Sequence, residues 1–251
     1  MVDHTILTQD GSPTRYHPVY DEHYHSLSGA HLEARLRYVI PSRVIETARS
    51  RGQVKILDVG FGLGTNLAWA IHEIQKEAPG AAIEIITMER ELLPIEVLLQ
   101  HFRALPETRL LVILKGLIEQ GQWHEKNLKL ELVLGEAQQQ ITRLEGRWDA
   151  VFFDPFSPSR NPAPWKRDFL AAIWERMAEG GILTTYSSAR SVRLSLLQAG
   201  WQIGLGPRVG WKSSGTIASR GIVEPPLVAL DEKLARKLDR QLKRYREENN
   251  R

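Results

Sequence analysis

The 251-residue chain contains no cysteine. That excludes a disulfide framework, thiolate zinc sites and iron–sulfur clusters, and it removes a thiolate nucleophile from any chemistry the chain performs. The absence fits a reducing cytoplasm, which is the expected location. No apolar run is long enough to span a bilayer, and the start of the chain lacks the apolar stretch of a secretion signal, so no membrane partner is expected. Internal repeats are missing too. The body of the chain has no excess of either charge. Asp231 to Arg251 holds eight of the 33 Lys and Arg and five of the 30 Asp and Glu, which leaves 25 of each elsewhere. The net charge of +3 and the pI near 9.2 therefore come from the tail, a mild pointer to a nucleic-acid partner. The length suits one α/β domain with additions and a sizeable core.

What the chain does have is KILDVGFGLGTN, Lys55 to Asn66. A short apolar run ends at Asp58, glycines follow at alternate positions (Gly60, Gly62, Gly64), and a helical pattern starts after them. Glycine lets the backbone turn sharply and lets a ligand come close. A helix N-terminus presents free N–H groups and a partial positive charge. The stretch reads as a nucleotide-type cofactor site at the end of a first parallel strand, with a structural turn in another α/β protein as the alternative. The dinucleotide pattern G-x-G-x-x-G would need glycine at Thr65, whereas the extra glycine is one place earlier. DVGFGLG is instead similar to motif I of class I S-adenosylmethionine-dependent methyltransferases.

The rest of the chain alternates strands and helices. Residues up to about Pro18 read as a flexible start. His17, His23, His25 and His31 crowd the next stretch, but their spacing fits no standard ligand pattern and no metal is expected. Ala30 to Ala48 is helical, divided near Pro41. Strands are expected at Ile83–Met88, Leu130–Leu134, Asp149–Phe153 and Gly181–Tyr186, with short late strands at Trp201–Leu205 and Thr216–Ser219. Helices are expected at Asn66–Lys76, Pro94–Ala104, Asp168–Ala178 and Ala189–Ala199. Arg109 to Asn127 reads as an insertion with one short helix. Asp231 to Tyr245 is a basic amphipathic helix with Leu234, Leu238 and Leu242 four apart, more suited to packing than to RNA contact. The expected fold is a Rossmann-like, doubly wound, mostly parallel sheet with an antiparallel late strand. Its expected divisions are an N-terminal cap with helices over 1–50, a core over 51–225 and a basic helical tail over 226–251.

Asp58, Glu89, Glu136 and Asp154 are all expected at the carboxyl ends of strands, where open α/β sheets bind ligands. Glu89 lies about thirty residues past Asp58, where an acid holds ribose hydroxyls, and Gly135-Glu136-Ala137 lies where this cofactor class meets the adenine. Asp154 precedes Pro155, which cannot donate a hydrogen bond. A carboxylate and exposed carbonyls there would accept N–H bonds and suit an amine, which Asp154 would orient rather than deprotonate. Methylation at C5 of a pyrimidine normally needs a thiolate, so the acceptor must already be nucleophilic.

FFDPFSPSRNPAPW, Phe152 to Trp165, resembles the D-x-F-x-P-x-x-N-P-x-x-W signature in the methyltransferase half of the MnmC family of tRNA wobble-uridine modification enzymes. YDEHYHSLSGAHLE resembles that family's cap over the cofactor, DVGFGLGTN its glycine loop (with Asp58 where many members have Glu), MERELLPIE its ribose strand and VLGEA its adenine loop. TTYSSARSVRLSLLQAGW and VGWKSSGTIAS resemble its later elements, so the likeness runs from about Tyr20 to Ser219. The resemblance implies methyl transfer from S-adenosylmethionine to the amino group of 5-aminomethyl-(2-thio)uridine at the wobble position of tRNA, with the anticodon region as partner. Family roles carry over to Gly60, Gly62, Gly64, Glu89, Glu136 and Asp154, with Asp154 as the catalytic residue, and Tyr24, Asp58, Asn66 and Ala137 complete the candidate cofactor residues. Phe156, Arg160, Trp165, Lys166, Arg167, Arg208 and Lys212, interleaved with Trp211 in segments poor in acids, are the candidate RNA contacts. The family's flavin oxidase has no counterpart in these residues, so a stand-alone methyltransferase is expected, and a basic pair of the family stands here as Lys212-Ser213. A methyltransferase of small-molecule or protein amines, and a non-catalytic cofactor- or RNA-binding module, remain the alternatives.

Overall fold

The computed structural model describes residues 5–210 and 214–249. In chain order the elements are β1 (Thr5–Leu7), β2 (Pro13–His17), β3 (Glu22–His23), α1 (Ala30–Glu33) running into a π-helical segment (Ala34–Val39), α2 (Val44–Arg51), β4 (Gln53–Val59), α3 (Thr65–Glu77), β5 (Ala82–Glu89), α4 (Ile95–Phe102), α5 (Thr108–Gln120), β6 (Gln122–Glu125), β7 (Leu128–Leu134), α6 (Ala137–Gln140), β8 (Trp148–Phe153), α7 (Arg167–Glu175), β9 (Met177–Thr185), α8 (Arg190–Gln198), β10 (Gln202–Leu205), β11 (Thr216–Ser219) and α9 (Glu232–Asn249).

Eight strands form one sheet in the order β10-β11-β9-β8-β4-β5-β7-β6. The five from β9 to β7 are parallel, while β6 and β11 run antiparallel at the two sides. Side chains of a strand alternate between faces. Ile56, Ala150 and Phe152 thus join one apolar layer with α2, α3 and α5, and Leu57, Val151 and Phe153 join a second with α7 and α8. Both faces of the central β4 and β8 are covered, which is why they read as nearly continuous apolar runs, whereas β7 alternates and leaves Lys129 and Glu131 exposed. This is the doubly wound, mostly parallel architecture that the strand and helix alternation implied.

Three expectations need correction. The stretch before Pro18 is no loose start. β1, β2 and β3 form a small antiparallel sheet, and Ser12 Oγ accepts the Ala30 N–H at 2.8 Å, tying that sheet to the start of α1. Residues 109–127 are no insertion either. Leu110, Ile113, Leu114 and Leu117 recur at helical spacing and are buried, so α5 belongs to the core, and β6 extends the sheet. A Cβ at Gly116 would lie 2.3 Å from the Trp123 ring, so α5 and β6 meet at a contact that only the fold reveals. Finally, Met177 and Ala178 belong to β9 and not to the preceding helix. Met177 pairs with Trp148 in the ladder and is fully buried, and this tertiary pairing overrides local helix preference.

α9 lies on α8 through a stripe of Leu234, Leu238, Gln241 and Leu242, with Leu238 buried and the basic side chains outside. Leu238→Ala is therefore expected to lower the unfolding free energy by about 2 kcal/mol in a urea titration, the cost of a small unfilled cavity. Lys237→Ala, one residue away on the exposed face, should stay within about 0.5 kcal/mol. Equal effects would mean that the helix is not docked through this stripe.

Candidate active site

β4 and β8 are neighbours although β5 and β7 lie between them in the chain, so strand order reverses there. Such a switch point leaves a crevice beyond the carboxyl ends of the strands. The glycine turn follows β4 and the Asp154 loop follows β8, and the Asp154 N–H donates to the Val59 carbonyl at 2.9 Å. Gly60 has φ +101°, and a Cβ there would lie 2.9 Å from the Asp154 carbonyl oxygen. Any side chain at this position would force the two loops apart.

The crevice encloses a cavity of about 660 Å³, within the usual range for small-ligand sites. Gly60, Phe61 and Gly62 lie on one side, Glu89 with Glu136 and Ala137 on another, and Asp154 to Ser157 on a third. The small N-terminal sheet roofs it with His17, Tyr20, Glu22 and Tyr24. Gly62, at φ +54°, has only the Tyr24 ring opposite its missing Cβ, at 3.1 Å.

Asp154 is held from two sides. The Tyr38 hydroxyl donates to Oδ1, and the Asn66 Nδ2 donates to Oδ2 at 2.8 Å. Tyr38 is fully buried, and burial together with the Asp154 charge pushes its hydroxyl far above the usual tyrosine range, so it stays a donor. Tyr186 closes the far side of the cavity, donating to the Pro155 carbonyl at 3.0 Å. Burial and Asp154 raise its pKa as well. Beneath it, the buried Glu33–Arg37 pair (3.4 Å) joins the Ser26 N–H, at 2.7 Å from Glu33, to the Tyr186 carbonyl. Glu89 accepts the N–H groups of Gly62 (2.9 Å) and Arg90 (2.7 Å). Burial raises its pKa, partly offset by these donors. Glu136 pairs with Arg90 at 3.1 Å, and Arg90 also donates to the Tyr20 hydroxyl at 2.9 Å, linking the roof to the loop after β7.

Two of the residues expected to meet a cofactor are elsewhere. Gly64 caps α3, and its missing Cβ faces Phe61, Phe102 and Leu114 in the core. Asp58 is 1% exposed and accepts the Thr87 hydroxyl at 2.7 Å, because it sits opposite Thr87 in the β4–β5 ladder. Both support the turn from beneath and neither lines the cavity. Trp165 is also no surface contact. It is 4% exposed, packs on Phe153, and its Nε1 donates to the Phe156 carbonyl at 2.9 Å, fixing the loop. Phe156 lines the cavity and stacks on Tyr20 with ring centroids 4.3 Å apart. Arg160 and Arg167 are paired with Asp21 and Asp168, so the basic segment is less free of acids than its sequence implies. Lys166 and Arg208 are exposed, while Trp211, Lys212 and Ser213 lie outside the described residues.

The four histidines go separate ways. His17 joins the Tyr20–Tyr24–Phe156 rings, His23 meets Tyr16, His25 faces Thr14, and His31 meets Trp69. Among the described residues no group of three His, Cys, Asp or Glu could hold a metal, and no helix is long and apolar enough to cross a membrane. Sequence reasoning missed Tyr38, which nothing marks within its helical stretch. Tyr186 was readable as a polar aromatic at a strand end, the same signal that marked the acids.

A family model described as S-adenosyl-L-methionine-dependent methyltransferase matches residues 102–221. The crystal structure of MNMC2 from Aquifex aeolicus is 39% identical, covers 94% of this chain and 75% of its own, and superposes with a TM-score of 0.83. The chain belongs to the MnmC-related S-adenosyl-L-methionine-dependent methyltransferases. An uncharacterized protein of Methanocaldococcus jannaschii is 29% identical over 86% of this chain and 59% of its own length. The tRNA 5-methylaminomethyl-2-thiouridine biosynthesis bifunctional protein MnmC of Paraburkholderia phytofirmans is 26% identical over 92% of this chain. This methyltransferase spans only 38% of that bifunctional relative.

The cofactor is S-adenosyl-L-methionine, and the residues present fit it. The glycine turn leaves a cradle that a Cβ at position 62 would begin to fill, and Glu89 and Glu136 offer acceptors for hydroxyl and amino donors. Gly62→Val is expected to weaken cofactor binding at least about tenfold in calorimetry, since a β-branched side chain is strained at positive φ and would push Tyr24 into the cavity. A folded variant with unchanged affinity would refute this placement.

Burial also holds the Asp58 carboxyl well above the usual carboxylate range, although the Thr87 hydroxyl pulls the other way. With a raised folded pKa, the folded state keeps the proton after the unfolded chain has lost it. The stability this group lends therefore declines as pH rises above the ordinary carboxylate pKa of about 3.9. Asp58→Asn cannot ionise and its amide oxygen still accepts from Thr87. Between pH 5 and pH 8 it should lose less stability than the parent, by up to about 1.4 kcal/mol per pH unit. Parallel urea midpoints across that range would show that Asp58 does not titrate in this way.

Proposed function

We propose that this methyltransferase transfers a methyl group from S-adenosyl-L-methionine to the amino group of 5-aminomethyl-(2-thio)uridine at the wobble position of tRNA, giving 5-methylaminomethyl-(2-thio)uridine. The observation that carries the reading is the Asp154 carboxylate, fixed by Tyr38 and Asn66 at the switch point and on the cavity wall. The name of the Paraburkholderia relative supports the tRNA substrate.

Tyr24, Gly60, Gly62, Glu89, Glu136 and Ala137 hold the cofactor in this reading, with Glu89 on the ribose side and Glu136-Ala137 on the adenine side. When bound, the cofactor supplies a methyl on a sulfonium. The amine lone pair forms the new N–C bond, the old S–C pair stays on sulfur, and one proton leaves the nitrogen for water. An alkyl amine has a pKa near 10.4, so it must be free base to react, and a carboxylate of ordinary pKa is too weak a base to do this. Asp154 instead accepts an N–H, aims the lone pair, and offsets positive charge as it develops on nitrogen. Phe156 lies where the substrate base would enter, and exposed cations such as Lys166 and Arg208 would meet phosphates.

The cavity wall carries Glu22, Glu33, Glu89, Glu136 and Asp154. A carboxymethylaminomethyl base brings another carboxylate among them, and one such contact at 4 Å costs about 4 kcal/mol in a partly screened site. This chain, alone with labelled cofactor, should methylate tRNA bearing the aminomethyl base and leave tRNA bearing the carboxymethylaminomethyl base unchanged, as read by mass spectrometry of nucleosides. Asp154→Ala should lower kcat roughly 100-fold with a much smaller change in cofactor Kd. Methylation of the carboxymethylated tRNA, or a rate that falls only in step with cofactor binding, would overturn the assignment.

A further inference from the structure

α9 has two faces. Leu234, Leu238 and Leu242 belong to the one that packs on α8. On the other, Lys233, Arg236, Arg240 and Lys243 recur at steps of three and four residues with Arg244 beside them, and all five are exposed. Asp239 and Glu248 lie at the flanks of this stripe and Glu247 at its end. Among the described residues, only Arg236 of the five has a carboxylate partner, Glu232 at 2.7 Å. Like charges three or four apart on a helix repel each other. Packing on α8 does not need the stripe and its repulsion weakens the helix, so its charge points to a partner outside the chain.

The stripe reaches the active edge. β9 ends at Thr185, Tyr186 lines the cavity and α8 starts at Arg190, so the start of α8 stands at the carboxyl end of the sheet. Gln241 shares a surface cleft with Arg190, Ser191 and Leu194, which sets Lys243 and Arg244 beside that edge. β10 also ends there, and the loop after it carries Arg208. Arg190 and Arg208 are exposed. The Arg208 loop abuts the roof, since a Cβ at Gly210 would lie 2.4 Å from Ser28 Oγ. The opposite side of the cavity carries Glu89, Glu91 and Glu136, and its cation Arg90 is paired with Glu136.

We infer that the outer face of α9 is an RNA-docking surface, and that the phosphate backbone leaves the cavity past Arg208 and Arg190 onto it, on the β9–β10 side of the active edge. This rests on the tRNA reading above. Exposed cations on that side attract a polyanion, and the carboxylates on the other repel it. The stripe from Lys233 to Arg244 is about 16 Å long, so it meets phosphates that lie beyond the modified nucleotide. Phosphate contacts position an RNA without reading its sequence. α9 thus holds the RNA while the cavity selects the base, and the tail that carries the chain's net charge of +3 is the part that meets the polyanion.

The test uses the full chain carrying Arg240→Glu, Lys243→Glu and Arg244→Glu together, with an unmodified tRNA transcript as probe in filter-binding titrations at several salt concentrations. A urea titration checks that the variant is folded. Affinity at about 0.1 M salt should fall at least about tenfold. The slope of log K against log salt should shrink by roughly 2 to 3, because each lost phosphate contact removes about 0.7–0.9. With tRNA bearing the aminomethyl base, KM should rise while kcat stays within about twofold, and cofactor affinity in calorimetry should hold. The matching triple change to Gln removes charge without reversing it and should act in the same direction, less strongly. Lys76→Glu with Lys126→Glu, two exposed sites at the amino side of the sheet, should alter tRNA binding less than about twofold. Unchanged affinity and salt slope in the folded α9 variant would overturn the proposal and leave the stripe to an acidic protein partner. An equal loss in the Lys76 and Lys126 control would overturn it too, since net charge rather than this surface would then govern binding. If the parent binds the transcript through α9 but does not methylate the aminomethyl tRNA, the amine reading fails and the docking surface stands.

Discussion

The meeting of two loops at the strand-order switch is the constraint on which the site depends. Gly60 and Asp154 touch through backbone atoms, with no room for a Cβ between them. That contact makes a carboxylate from the far half of the sheet a neighbour of the glycine turn from the near half. Its orientation then comes from two further segments, since Tyr38 belongs to the π-helical stretch before the sheet and Asn66 to the first turn of α3. Four separate parts of the chain converge on one carboxyl group. Such convergence fixes an angle as well as a position, because each oxygen is held by its own donor.

The acids show how far sequence reading reaches. Glu89, Glu136 and Asp154 are legible because strand ends are marked by the stop of an apolar run, and the fold class says that those ends share one edge. Asp58 obeys the same rule and still fails to reach the cavity. It is one residue short of the strand end, and the two-residue period of a strand turns it into the ladder beside Thr87. Gly64 fails for a related reason: the alternation of the three glycines is visible, but which face each one clears is set by the turn of the backbone and by Phe61, Phe102 and Leu114. Trp165 looks like a recognition aromatic in its loop, yet its role is set by Phe153 and by a carbonyl nine residues away. Tyr38 lies 116 residues from the carboxylate it holds, and no local pattern could announce that pair.

The roof was the least legible part, and its construction explains why. β1, β2 and β3 are too short for a periodic signal, and the stretch is rich in polar and aromatic residues that would suit a loop equally well. Its order comes from contacts to the Asp154 loop. Glu22 accepts the Ser157 N–H at 2.9 Å, Tyr20 stacks on Phe156, and Asp21 pairs with Arg160. The signature FSPSRNPAPW is thus largely a docking strip for the roof, with Trp165 as its anchor on the sheet side. Its aromatic and basic residues serve structure first, while Phe156 and Ser157 both contact the roof and line the cavity.

On the proposed reading, this arrangement would account for how a site without a strong base handles an amine. In the proposed reaction the proton must leave before attack, so the enzyme's task is to hold and orient the free base. An acceptor at a fixed angle directs the nitrogen lone pair at the methyl rather than leaving that to a random encounter. Acceptors also keep the surrounding tyrosines protonated: burial and the Asp154 charge both raise Tyr38 and Tyr186, so neither competes as a base and both remain donors that hold the loop. The same negative field that would stabilise charge developing on nitrogen would reject substrates bearing an extra carboxylate. On that reading, orientation, charge stabilisation and substrate exclusion arise from one set of cavity-lining carboxylates, which act through the hydrogen bonds they accept.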